Sequence, residues 1–229
     1  MQATRHLATA GLVFLTGTVL LVGGVPRTIA ALATLPGGPV LHEIQSLRPA
    51  GRDDLEILIA SQRRGLRFGE SGRKWTDLGL AQLLLAREQG VSGGITVEMV
   101  SPAIASLKTG LALAPANPFA WTRLAYAQSL ITGPSRSVAS SLRMALLTAR
   151  YEPRLLFIRL ELCLRSWSFF KSDDHELVFQ QVRLAWRKNG KRLVDLAVET
   201  GQVNVVRAAL LGSRKDLSSF EKRLRKRGS

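Results

Sequence analysis

Apolar residues return at helical spacing along nearly the whole chain, and strand-like alternation is scarce. The one exception to helical amphipathicity comes first. Leu7 to Val25 carries no charged residue, and at ~1.5 Å rise per residue the run can cross a ~30 Å hydrocarbon core. Arg5 precedes it and Pro26-Arg27 closes it. This predicts a membrane anchor within residues 1–33. Ala31-Leu32-Ala33 has the small-x-small pattern of an export-signal cleavage site, which keeps a cleaved signal open as the alternative. Residues 34–51 cluster prolines and glycines and read as a linker or irregular lead-in.

From Asp53 the pattern predicts helices over 53–64, 74–88, 101–113, 118–131, 135–150, 154–170, 172–189, 191–200 and 202–211. Asp53-Asp54, Ser101-Pro102, Ser135 and Ser172-Asp173-Asp174 supply start signals, and Gly90, Pro115, Gly133-Pro134, Pro153, Asn189-Gly190 and Gly201 supply stops. Ile95-Thr96-Val97 is the only β-branched run, too short for a strand of consequence. The prediction is an all-α protein: an anchor, a helical domain over 52–212, and a basic tail over 213–229 that is a charged helix or frays.

Within that domain, Trp75-Thr76-Asp77-Leu78-Gly79-Leu80-Ala81-Gln82 is echoed by Trp121-Thr122-Arg123-Leu124-Ala125-Tyr126-Ala127-Gln128. Self-similarity of this kind marks helix pairs that bury their faces against their neighbours. Trp75 and Trp121 read as core anchors, each worth roughly 2–3 kcal/mol on burial. The run Ala103, Leu107, Gly110, Pro115, followed by Trp121, Leu124 and Ala125, resembles the tetratricopeptide repeat. The earlier copy matches through Trp75, Leu78 and Gly79. Leu142, Ala145 and Leu146 echo Leu107, Gly110 and Leu111 thirty-five positions on, close to the ~34-residue period of that family. Gln82 and Gln128 stand where the family often has an aromatic residue, and after Pro153 the pattern degenerates into divergent repeats or a cap. The resemblance implies a short α-solenoid that binds partners along its concave face, where Gln82, Arg123 and Gln128 are the candidate partner-facing residues.

Charge adds a second lead. The 229 residues carry a net charge of +15, with a pI of about 11.2, which suits an anionic polymer or leaflet as well as a merely solubilising surface. The cations concentrate in Arg183, Arg187, Lys188, Lys191 and Arg192, and again in the tail, where Arg223, Arg225, Lys226 and Arg227 are candidate contacts to an anionic surface. Phe220 is the tail's only aromatic residue, and no pattern for specific nucleic-acid readout is present.

Candidate chemistry is thin. His6, His42 and His175 stand apart, with no helical metal pair among them. Cys163, the single cysteine, sits among leucines and reads as a buried inert thiol. No glycine pair is followed by the Lys-Ser/Thr of a phosphate loop. Neither a cofactor nor catalysis is expected. The layout is similar to small membrane-anchored bacterial accessory proteins of polysaccharide biosynthesis and export. That likeness implies a scaffold in a membrane-associated protein complex of the cell envelope, single-pass in a bacterial inner membrane, with the C-terminal domain in the periplasm. The alternative is a basic module for an anionic polymer, nucleic acid or acidic lipid.

Overall fold

The computed structural model describes Thr18 and residues 24–228. Most of the apolar run 7–25 and His6 therefore lie outside the described residues. Among the described residues no helix is long and apolar enough to cross a membrane.

All regular structure among the described residues is helical. Residues 24–34 belong to α1, which leads through a 3-10 turn at Leu35–Gly37 into α2 (Gly38–Gln45). Next come α3 (Arg52–Arg67), α4 (Gly72–Gly93), α5 (Val97–Leu113), α6 (Pro118–Thr132), α7 (Arg136–Thr148) and α8 (Leu156–Arg165). A bent α9 (His175–Glu199), α10 (Val203–Leu210) and α11 (Arg214–Gly228) complete the chain.

Three local expectations change. Residues 34–51 are not simply irregular, because Pro36 and Pro39 each fall at the start of a helical turn, where a missing N–H costs nothing. Helix α2 then packs Val40 onto Leu58 and Ala81. Helix α5 begins at Val97 rather than Ser101, with Pro102 inside it. Val100 is fully buried, so packing of the extra turn outweighs the hydrogen bond lost at Pro102. Asp174 makes no cap. Its carboxylate instead accepts a bond from Arg143 Nε of α7 at 2.6 Å, and a charge-assisted bond of this kind outcompetes a neutral cap. The Asn189-Gly190 break appears as a bend: Asn189 leaves helical geometry, and its Oδ1 accepts the Arg192 backbone N–H at 3.0 Å.

Successive helices pack as antiparallel pairs. In α4–α5 the contacts run from Gly72 beside Ala114, through Gly79 beside Ala103 and Leu107, to Gly90 beside Ile95. Small residues let the backbones approach. A Cβ at Gly110 would sit 2.8 Å from the Gly72 carbonyl oxygen and 2.9 Å from the Thr76 nitrogen, distances no side chain tolerates. Gly110 and Ala103 stand where the two backbones come closest.

The burial pattern also reveals a third copy that sequence comparison blurs. Leu78 and Leu124 are buried at matching places in α4 and α6, and thirty-five positions beyond Leu124 the same place in α8 holds Arg159, also fully buried. In the second helices the sets Ala103, Val138, Val178 and Leu107, Leu142, Val182 are all fully buried. Gly110, Ala145 and Ala185 follow three positions later and are buried too. The pairs α4–α5, α6–α7 and α8 with the first half of α9 therefore share one packing scheme. The largest hydrophobic cluster extends from α6 to α11. The final basic stretch joins it, because Phe220 of α11 is fully buried and meets Trp186 edge-on at 6.1 Å between ring centroids.

Candidate interaction surface

Each of the three helix pairs is closed by a polar contact from one repeating place on its second helix, met by a glutamine in the first two pairs and, in the third, by the arginine at the leucine's place. In α4–α5 the Ser106 hydroxyl donates to Gln82 Oε1 at 2.7 Å. In α6–α7 the Ser141 hydroxyl donates to Gln128 Oε1 at 2.8 Å. In α8–α9 the serine's place is taken by Gln181, whose Oε1 accepts from Arg159 Nη2 at 3.2 Å. Arg159 Nη1 also donates to the carbonyls of Ala145 and Ala149, at 3.0 and 2.8 Å. Gln181 Nε2 donates to the Arg150 carbonyl at 2.6 Å. These bonds offset the burial of a guanidinium, whose charged form desolvation disfavours.

The tryptophans differ in the same way. Trp121 Nε1 donates to the Pro115 carbonyl at 2.7 Å, which ties the start of α6 to the end of the preceding pair. Trp75 Nε1 is buried without an acceptor among the described residues. Leu78, Leu107, Leu124 and Ala125 are buried in the core.

The three partner-facing candidates are placed close to the seams between helices. Gln82 is buried against Ser106, yet it also lines a groove of about 380 Å³ between α3, α4 and α5. Ile59, Leu85, Met99 and Pro102 form the apolar part of that groove, and Glu56, Arg63 and Gln89 bring charge and polarity to it. Gln128 is half-buried at the α6–α7 seam. Arg123, also half-buried, interacts with Asp77, the residue at the same position one repeat earlier. Burial raises the Asp77 carboxyl pKa, opposed by Arg123 and then by Arg73, whose Nε lies 3.8 Å away. Burial likewise lowers the Arg123 pKa, opposed by Asp77. The opposite charges thus hold each other where α4 and α6 meet.

The basic candidates come together from two stretches of sequence. Arg223 stacks over Trp186 at 5.2 Å, and Arg227 pairs with Asp195 at 2.8 Å and Glu199 at 3.6 Å. Arg223, Lys226 and Arg227 of α11 line one hollow with Lys191 and Val194 of α9. Arg225 is exposed on the same helix. Arg207 of α10 grips Glu221 with two bonds, at 2.6 and 3.2 Å, and holds α11 in place.

Among the described residues no group of three or more His, Cys, Asp or Glu side chains could hold a metal ion. His175 stacks on Trp167 with ring centroids 4.0 Å apart, and His42 is exposed. Cys163 is fully buried, and burial pushes its thiol pKa up to about 12. The groove residues Ile59, Arg63, Gln89 and Met99 escape sequence reading because three separate helices contribute them. Arg159 and Gln181 carried one faint signal, their offset from Leu124 and Ser141. Comparison with protein-family models, with curated proteins and with solved structures finds no match to the chain.

Proposed function

We propose that this chain is a non-enzymatic scaffold: a membrane-tethered set of tetratricopeptide-like helix pairs that docks a protein partner in a bacterial cell-envelope assembly. The repeated closure of α4–α5 and α6–α7 by Gln82–Ser106 and Gln128–Ser141 carries this reading. Equivalent polar contacts at equivalent places are what stacked repeat units produce, and stacked units present extended surfaces to partners. The groove between α3, α4 and α5 is the docking surface, with an apolar floor for a partner side chain and polar groups to orient it. The tether is the apolar run 7–25, and the helical domain lies in the periplasm. Polysaccharide biosynthesis or export is the proposed setting.

A photo-crosslinking side chain at Gln89, exposed beside the groove, tests the docking surface, with Lys215 of α11 as the control position. A protein adduct formed from Gln89 and not from Lys215, and retained in ~0.5 M salt, supports the scaffold. Adducts of equal strength at both positions contradict it. A deletion strain with unchanged surface polysaccharide removes the pathway assignment.

A second reading, a basic module for anionic polymers or lipid, has one observation in its favour: α9 and α11 bring their cations together around one shared hollow. It predicts binding that falls steeply with salt.

A further inference from the structure

We propose that the hollow between the start of α8 and the bend of α9 is a binding site for a phosphoryl group, distinct from the docking groove and independent of it. The hollow measures about 290 Å³, at the small end of ligand pockets, and Arg154, Phe157, Lys188, Asn189 and Arg192 line it. Three cations therefore border one small concavity. Among the described residues none of the three is in an ion pair. The nearest carboxylate in sequence, Glu152, is turned to the chain itself and accepts the Arg154 backbone N–H at 3.1 Å. No acidic residue occurs between Glu176 and Asp195.

Two of the cations are held rather than loose. The Arg192 guanidinium lies 4.3 Å from the centre of the Phe157 ring, which fixes its plane and leaves its edge free to donate. Lys188 Nζ donates to the Pro153 carbonyl at 2.8 Å, which uses one of its three N–H bonds and leaves two. The bend at Asn189 separates them: Lys188 ends the first half of α9 and Arg192 stands in the first turn of the second. Clustering like charges costs free energy that an anion in the hollow would recover. Three positive charges match a polyanionic phosphoryl group better than a single carboxylate, and a guanidinium fork suits its oxygens.

The test is calorimetric titration of the full-length protein in nonionic detergent at low salt. The probes are pyrophosphate, glycerophosphoglycerol (a soluble phosphatidylglycerol headgroup) and acetate. The variants are K188Q/R192Q and a control, R64Q/K108Q, which removes equal charge at exposed sites on α3 and α5. The expected result is pyrophosphate binding that weakens about tenfold or more in K188Q/R192Q and less than about twofold in the control. Loss of glycerophosphoglycerol binding in the same variant, without pyrophosphate binding, assigns the phosphoryl group to a lipid headgroup. No binding of either phosphate probe, equal losses in both variants, or acetate binding as strongly would overturn the proposal. Circular dichroism melts of both variants confirm that each is folded.

Discussion

In α4–α5 and α6–α7 the polar contact across each pair is neutral, a serine hydroxyl on a glutamine carbonyl, beneath a buried leucine at Leu78 or Leu124. In α8–α9 the leucine's place holds Arg159, and the contact is a guanidinium bonded to two backbone carbonyls and to Gln181. The burial scheme is the same and the chemistry is not. A neutral closure tolerates some looseness, because either partner alone loses about one hydrogen bond. A buried cation has no such tolerance: without its acceptors it is an uncompensated charge, and without the cation its acceptors are orphaned. The first two pairs are therefore built for stacking, whereas the third fixes how α7, α8 and α9 meet. That junction sets the position of the start of α8 against the bend of α9.

The largest effect that would break this comparison is at Arg159. Arg159→Ala should cost about 3–5 kcal/mol of unfolding free energy, since it leaves Ala145, Ala149 and Gln181 without their donor and opens a cavity. Denaturant melts read the loss directly. Gly110→Ala comes next, at about 1–3 kcal/mol, because the new Cβ meets backbone atoms of Gly72 and Thr76 that cannot step aside. The equivalent places Ala145 and Ala185 already carry a Cβ, so the penalty is specific to α4–α5. If Gly110→Ala proved neutral, the close approach of those two helices would be wrong.

The tryptophans sharpen the contrast within the repeat. Trp121→Phe removes the bond to Pro115 and should cost about 1 kcal/mol more than Trp75→Phe, whose indole N–H has no acceptor to lose. Equal losses in the two melts would contradict the assignment. The effect at Cys163 is absent at neutral pH and appears only in alkali. Burial moves its thiol from 9.0 to about 12, so the unfolded chain releases the proton at lower pH than the folded one. Stability should therefore fall as pH rises from about 9 towards 12, by at most about 1.4 kcal/mol per pH unit. Urea melts of a Cys163→Ala variant at successive alkaline pH values should show a flatter decline than wild type.

Much of this was legible in the sequence, for physical reasons. Helical periodicity, prolines at helix starts and glycines in loops locate nearly every helix, and the Trp-Leu-Gln echo marks the first two pairs. What escaped depended on choices between competing contacts. Asp174 at a helix start reads as a cap until Arg143 of another helix offers a stronger partner. Pro102 reads as a first helical residue until the burial of Val100 shows an earlier turn. The third pair is hidden because arginine replaces leucine at its centre. No periodicity scan treats a buried guanidinium as a core residue. The groove and the basic hollow are assembled from distant segments, so residue order alone does not announce them.

Helix α8 and the first half of α9 are a third copy of the same helix pair, with Arg159 and Gln181 in place of leucine and serine. The most direct measurement is the unfolding free energy of Arg159→Leu, Gln181→Ser and the double variant, which restores the leucine and the serine of the first two pairs while Cys163 stays where those pairs have glutamine. The double variant should fold and be at least about 1 kcal/mol more stable than Arg159→Leu alone, because serine removes the glutamine that the leucine strands. A double variant as unstable as the sum of its two single losses would contradict it.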